Sequence, residues 1–406
     1  MKLFPIDTVD SGLLAKVLNR NQSLFEEDWQ KELPFLIEKI KGAKVIVIGA
    51  AGSIGRAFTK LLAHFELGML HLIDPSENNL VELVRDLRST GFHLPKDFQT
   101  LSIELGSDEF DQYVQDLEDC DYLINFSALK HVRAERNVYT LARLCRTNLY
   151  GTHRLVESGK LLRCERIFSV SSDKSVNPAN LMGATKAMME QILFASADEI
   201  SCSTARFANV AFSDGSLLAG FFNRFDKRQP FAAPNDVRRY FISHLEAAQL
   251  CILACFLGKN KEVYFPKMDE SKDALTFSKI AELFLTNKGY QPQNYNSDEE
   301  AIERASQIEK GIWPCLFSGS DTSGEKDLEE FYFEEESIEL ERHSQIGIVT
   351  QPISFLKTNT KEFLQEIESL KASKNFTRRT LIDLFIKSGL TCLKPIDSDK
   401  NLDQKM

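Results

Sequence analysis

Short apolar runs recur along the first half of the chain and set its framework. Lys44 to Ile48 reads Lys-Val-Ile-Val-Ile, continuous and β-branched, as a parallel strand covered on both faces requires. Comparable runs stand at Met69 to Ile73, Thr100 to Ile103, Tyr122 to Phe126, Arg166 to Val170 and Ser203 to Phe207, with helical patterns between them. Strand alternating with helix predicts an α/β protein built on a doubly wound parallel sheet. Over 1–41, apolar positions such as Leu13, Val17, Phe25, Trp29, Leu36 and Ile40 among charges predict two or three amphipathic helices, better suited to capping the next domain than to an oligomer contact. From about 210 the pattern loosens around Ser213 to Ser216 and Pro230 to Asp236, as expected of a smaller lobe over the carboxyl ends of the strands.

The expected organisation is an N-terminal helical extension (1–41), a dinucleotide-binding domain (42–210), a smaller substrate-binding lobe (211–345) with some elements returning to the first domain, and a C-terminal helical extension and tail (346–406). The acidic groups within 290–345, including Asp298 to Glu300 and Glu334 to Glu336, read as solvated surface.

Composition narrows the class. Hydrophobic residues at 43% and charged residues at 27% are ordinary for a globular protein. No apolar run is long enough to span a bilayer, and no secretory signal is expected from Met1 to Asp10. A net charge of -10 argues against a nucleic-acid partner. The eight cysteines are scattered without Cys-x-x-Cys pairs, so neither a metal site nor a disulfide framework is expected, and a cytoplasmic location is. Cys251 and Cys255 read as core.

The first chemical signal is Gly49, Gly52 and Gly55, spaced Gly-x-x-Gly-x-x-Gly after a strand and opening a helix near Ser53 or Ile54. Glycine lets backbone approach a pyrophosphate, and amides at the helix start meet its charge. This places a Rossmann-type nucleotide site there, with Gly49, Gly52, Ser53, Ile54 and Gly55 as cofactor-binding residues. Asp74, nineteen residues past Gly55, ends the next strand, where a carboxylate accepts from ribose hydroxyls and repels a 2'-phosphate; NAD is expected over NADP, although an Asp at a strand end is also a common turn former.

The second signal is Ser171-Ser-Asp-Lys174, followed by Met182-Gly-Ala-Thr-Lys186. The segment Ser169 to Lys186, with Ser127 to Val132, Thr147 to Gly151, Arg206 to Val210 and Arg238 to Phe241, resembles the UDP-N-acetylglucosamine 4,6-dehydratases, the CapD-like branch of the extended short-chain dehydrogenases. The resemblance runs from about 43 to 340. It implies a UDP-sugar substrate, a homo-oligomer and a three-step reaction for surface-glycan synthesis: oxidation at C4 by NAD, loss of water across C5 and C6, and return of the hydrogen to C6. A 4-keto group acidifies the C5 proton, and the C6 hydroxyl leaves once an acid protonates it; Lys174 is expected as the base and Asp173 as the acid. Burial, the cationic nicotinamide and Lys186 are expected to bring Lys174 down from its ordinary pKa of about 10.4 towards 7 to 8.

The resemblance further implies that Lys186 binds the nicotinamide ribose, that Ser172 holds the C4 hydroxyl, that Ser127 and Ala128 line the cofactor site and that Lys130, Asn209 and Arg239 contact the nucleotide-sugar. His131 is expected to fix a loop. Met182 occupies the usual tyrosine position and cannot take the C4 proton, which leaves that base unassigned; Asp173, or a water relayed through Ser172, is the expectation. Asp321 to Lys326 resembles the family's Gly-Glu-Lys turn but lacks a preceding arginine. A UDP-sugar epimerase and a non-catalytic NAD-binding protein are the alternative readings; Asp173 with Lys174 speaks against the first, and Lys174 with Lys186 against the second.

Overall fold

The structure is a computed structural model that describes residues 11–92, 94–135, 137–320, 328–357 and 359–393. Helices α1 (Ser11–Leu18) and α2 (Glu26–Ile40) precede β1 (Lys44–Ile48), α3 (Ser53–Leu62), β2 (Met69–Ile73), α4 (Glu77–Ser89), β3 (Asp97–Leu101), α5 (Asp108–Asp116) and β4 (Tyr122–Asn125). Next come α6 (Val138–Cys145), a π-helical turn at Arg146–Tyr150, α7 (Gly151–Leu161), β5 (Arg166–Ser169), α8 (Leu181–Ala195) and β6 (Cys202–Ala205). The second half runs β7 (Asn209–Val210), α9 (Leu217–Asp226), β8 (Phe231–Pro234), β9 (Arg238–Ile242), α10 (His244–Phe256), β10 (Val263–Pro266), α11 (Glu270–Asp273), β11 (Ala274–Thr276) and α12 (Phe277–Asn287). It closes with β12 (Gln291–Asn294), α13 (Asp298–Glu303), β13 (Ile312–Ser318), β14 (Ser337–Glu339), β15 (Ile346–Gln351), α14 (Thr360–Ala372) and α15 (Arg378–Lys387).

The main sheet has the order β14-β15-β10-β6-β5-β4-β1-β2-β3. All its pairs are parallel except β10 with β15 and β15 with β14. The alternation along β1 shows why the run had to be apolar throughout: Val45 and Val47 enter one cluster with Phe58 and Leu61 of α3 and Ala247 and Cys251 of α10, while Ile46 and Ile48 enter another with Phe110 of α5 and Leu155 of α7. Strand order reverses between β1 and β4, and ligands of such sheets bind in the crevice at that point.

Two three-stranded sheets, β11-β9-β7 and β12-β13-β8, are built from strands that come after β6, with β10 returning to the main sheet between them. Their core is aromatic: Phe221 stacks on Phe231 at 4.8 Å between centroids, and Phe225 on Trp313 at 4.8 Å. Helix α1 sends Leu13, Val17 and Leu18 into this core, while α2 sends Trp29, Leu36 and Ile40 into the main one together with Phe25, the residue that precedes it. The N-terminal helices therefore cap the chain's own cores. Arg20 fastens them, donating twice at 2.7 Å to Glu246, whose carboxylate also completes the capping box of α10.

Three expectations need correction. The third strand begins at Asp97 rather than Thr100, because as the edge of the sheet it is half solvated and lacks the continuous apolar run of its neighbours. Residues 346–351, expected in a helical extension, form β15, buried between β10 and β14; helices begin only at Thr360. Glu336, assigned to solvated surface, is buried and ion-paired to Arg206, whereas Glu334 and Glu335 are exposed. The turn at Asp321 to Lys326 lies outside the described residues.

Helix α8 is buried at every position from Leu181 to Leu193. The sheet covers one side. On the other, an apolar cluster joins Leu181, Met182, Ala184 and Met188 to Leu141 and Leu144 of α6 and to Phe363, Ile367, Leu381 and Phe385 of α14 and α15.

Candidate functional site

The glycine loop shows what each glycine is for. Gly49 has φ of +71°, and a Cβ there would stand 2.6 Å from the Ser127 amide nitrogen. A Cβ on Gly55 would fall 2.0 Å from the Gly49 carbonyl oxygen, so this glycine lets α3 close onto the strand end. At Gly52 the nearest protein atom to such a Cβ would be the Gly49 oxygen at 3.6 Å. Among the described residues nothing forbids a side chain at Gly52, and no side chain caps the amides of α3 that start there. An open cradle of uncapped amides at a helix start fits a pyrophosphate. Ser53 Oγ accepts from the Asp214 amide at 2.8 Å, which brings the 213–216 turn over the loop. A Cβ on Gly215 in that turn would meet His131 Nε2 at 2.9 Å, so His131 packs against it.

Asp74 is buried at the end of β2, where its carboxylate accepts from the Ala51 amide at 3.1 Å and the Ser76 amide at 2.9 Å. It braces the glycine loop and forms its own turn. Ser127 and Ala128 follow β4 beside Gly49, and the Ser127 amide donates to Asn125 Oδ1 at 2.9 Å.

Ser172, Asp173 and Lys174 form one unit after β5. Ser172 Oγ donates to Asp173 Oδ1 at 3.0 Å and accepts from the Lys174 amide at 3.0 Å. Lys174 Nζ lies 3.1 and 3.3 Å from the two oxygens of Asp173. Asp173 is buried, whereas the Lys174 side chain is 44% exposed and lacks the burial expected of it. Burial acts on Lys186 instead. That ammonium, 3.5 Å from the Val170 carbonyl, is brought down to about 8 by desolvation; Glu190 one turn along opposes the shift and Lys130 adds to it. Lys130, Lys174 and Lys186 thus converge on one place, with Asp214 facing Lys130.

Beneath them lies a fully buried network. Arg206 donates to Glu190 at 3.0 and 2.7 Å, to Glu336 at 2.6 and 2.9 Å and to the Phe331 carbonyl at 3.1 Å. Glu190 also accepts from the hydroxyls of Ser171 and Ser175.

Met182 is buried in the apolar cluster shared with α14 and α15, and its amide donates to Glu135 Oε1 at 2.7 Å. Glu135 follows the matched stretch Ser127 to Val132 by three residues and was not singled out from sequence. Burial pushes its carboxyl up, against the Met182 amide and Arg378, whose guanidinium is 3.5 Å away. Asn209 and Arg239 meet around another residue that sequence reasoning missed. Glu329 accepts from Asn209 Nδ2 at 2.6 Å and from the Tyr240 amide at 3.0 Å, with Arg239 Nε at 3.6 Å. Its only sequence signal was its place three residues after Lys326.

Among the described residues no group of His, Cys, Asp and Glu is arranged to hold a metal, and no helix is long and apolar enough to cross a membrane.

A family described as "Polysaccharide biosynthesis protein" matches residues 45–351. The chain is 29% identical over 262 residues to an uncharacterized membrane protein of Methanocaldococcus jannaschii, covering 63% of this chain and 75% of that one. It is 26% identical over 246 residues to the UDP-N-acetylglucosamine 4,6-dehydratase (inverting) of Campylobacter jejuni, covering 57% and 69%. With the capsular polysaccharide biosynthesis protein CapD of Staphylococcus aureus it shares 26% over 283 residues, 65% of this chain and less than half (45%) of CapD. Among solved structures, Pen from Bacillus thuringiensis superposes with a TM-score of 0.62 at 20% identity, covering 82% of this chain and 98% of that one. DesIV, a dTDP-glucose 4,6-dehydratase from Streptomyces venezuelae with NAD and TYD bound, gives 0.54 at 15%, covering 71% and 87%. A UDP-N-acetylglucosamine 4-epimerase from Methanobrevibacter ruminantium gives 0.53 at 15%, covering 72% and 90%. These likenesses establish the Rossmann-type fold.

Proposed function

The chain belongs to the polysaccharide biosynthesis protein family, and from that premise and the geometry of its site we propose that it is an NAD-dependent nucleotide-sugar 4,6-dehydratase acting on UDP-N-acetylglucosamine. The observation that carries the reading is the Asp173–Lys174 pair, 3.1 Å apart in the turn after β5. Reversible oxidation alone does not need an extra acid and base, whereas elimination of water does.

Gly49, Gly52 and Gly55 would hold NAD, which would supply reversible hydride transfer for the C4 and C6 steps. The residues do the rest. Lys186 supplies positive potential beside the nicotinamide ribose, and Ser172 holds the C4 hydroxyl. Lys174 removes the C5 proton, and Asp173 protonates the C6 hydroxyl as it leaves. Lys130, Asn209 and Arg239 face the nucleotide-sugar. Since Met182 is buried and carries no proton acceptor, the C4 proton passes through Ser172 to Asp173 or to water. Asp74 favours NAD over NADP through its carboxylate at the strand end.

Hydrogen bookkeeping tests the reading. Substrate deuterated at C4, run in ordinary water, is expected to give a 4-keto-6-deoxy product with deuterium in its C6 methyl group. Unlabelled substrate in heavy water is expected to give a product deuterated at C5. Label returned to C4 with no loss of water would indicate an epimerase, and no turnover of any UDP-sugar in a panel would indicate a non-catalytic protein; either result overturns the dehydratase.

A further inference from the structure

Helix α8, which carries Lys186, starts against the turn that carries Asp173 and Lys174. A Cβ on Gly183 would stand 2.5 Å from the Lys174 carbonyl oxygen, so the first turn of α8 packs directly on the backbone of that turn. Where the helix start sits therefore decides where Lys174 sits. The first amides of a helix find no partner within it. Here the Gly183 amide donates to Asn180 Oδ1 at 2.9 Å and the Met182 amide to Glu135 Oε1 at 2.7 Å. Asn180 caps its own helix, but Glu135 comes from a separate 3-10 turn, Val132–Glu135, and is only 4% exposed. The second Glu135 oxygen faces α15: Arg378, the first residue of that helix, brings Nη2 to 3.5 Å from Oε2. Further along α8, Gln191 donates to the Ile353 carbonyl at 2.9 Å and accepts from the Phe355 and Leu356 amides at 3.0 and 3.3 Å. The C-terminal segment thus grips α8 at its start through Glu135 and in its second half through Gln191.

We propose that Glu135 and Arg378 are positioning residues, an ion pair through which the C-terminal helices hold the first turn of α8 and, through Gly183, the seat of Asp173 and Lys174. The inference rests on the dehydratase reading for the work that Asp173 and Lys174 do, though the mechanical link stands apart from it. A carboxylate is the charge that a helix start favours, and a guanidinium on its other oxygen fixes the direction in which it meets the Met182 amide. Gln191 keeps α8 attached whether or not the ion pair forms, so loss of the pair loosens the helix start without releasing the helix.

Arg378→Met keeps an unbranched stem and removes the charge, and Glu135→Gln leaves an oxygen that still accepts from the Met182 amide. Each is expected to lower kcat roughly tenfold while KM and NAD affinity change less than about threefold, since a small displacement of acid and base costs turnover before it costs binding. Arg378→Lys should regain most of the loss. The double variant should be no slower than the slower single one, because both substitutions break one link. A merely structural pair would lower the melting temperature of both single variants yet leave kcat, measured well below melting, within about twofold of the wild type. That result, or losses that multiply in the double variant, would overturn the proposal. A second arm needs no activity. Amide deuterium exchange over 172–176 and 181–186 should quicken at least about threefold in Arg378→Met, with β1 unchanged. Unchanged exchange over 172–176 would overturn the link. If the wild type releases no water but exchange responds as stated, the dehydratase reading fails and the positioning stands.

Discussion

Arg206→Met is the perturbation whose size the structure fixes best. The guanidinium is 1% exposed and makes paired bonds to two buried carboxylates, Glu190 and Glu336. Removing one partner of a buried ion pair costs about 3 to 5 kcal/mol, mostly because the remaining charge is stranded, and here two charges are stranded by one substitution. That is a large share of the roughly 5 to 15 kcal/mol that holds a native protein together. With an m value of about 3 kcal/mol/M, the urea midpoint should fall by roughly 1 to 1.7 M, read by far-ultraviolet circular dichroism. The triple variant Glu190→Gln, Arg206→Met, Glu336→Gln, which strands no charge, should recover most of the loss. A midpoint shift below about 0.3 M for Arg206→Met, or a triple variant no more stable than Arg206→Met alone, would refute the reasoning.

Gly55→Ala drives a Cβ to 2.0 Å from the Gly49 oxygen and should destabilise the fold by about 1 to 3 kcal/mol in the same urea assay, while Gly52→Ala, with 3.6 Å of clearance, should leave stability nearly unchanged and weaken NAD binding at least tenfold by calorimetry. A Gly52→Ala protein that binds NAD normally would contradict the cradle, and tighter binding of NADP than NAD by the wild type would contradict the role given to Asp74. Asp173→Asn and Lys174→Ala should each lower turnover about 100-fold or more while leaving NAD and UDP affinity within about threefold; near-normal turnover in either would contradict the acid and base roles.

The parts of the fold that show in the sequence are those governed by local rules. β1 and β2 stand out because burial on both faces demands an unbroken apolar run, and the start of α3 at Ser53 follows from its glycines. β3 slips by three residues and β15 goes unrecognised because an edge strand and an antiparallel return strand take their shape from neighbours far away in the chain. The site divides the same way. Ser172, Asp173, Lys174 and Lys186 are legible as a motif; the first three are hydrogen-bonded to one another, and Lys186 lies on α8 against the Val170 carbonyl. Which lysine is desolvated is not legible, since that depends on what covers α8. Glu135, Glu329 and Glu336 look like any other surface glutamates until Arg378, Asn209 and Arg206 arrive from distant segments.

The helix pair α14 and α15 has a consequence for biosynthesis. Its residues lie beyond the 45–351 family match, yet Phe363, Ile367, Leu381 and Phe385 complete the cluster that covers Met182 and Met188 on the helix carrying Lys186. On the ribosome that apolar face emerges about 200 residues before its cover, a delay of roughly 10 to 40 s at about 5 to 20 residues per second. Throughout that interval α6 is the part of the cover already synthesised, and the side of α8 that meets α14 and α15 stays exposed. The protein's yield in the cell should therefore depend on a chaperone that holds this face until α14 and α15 arrive.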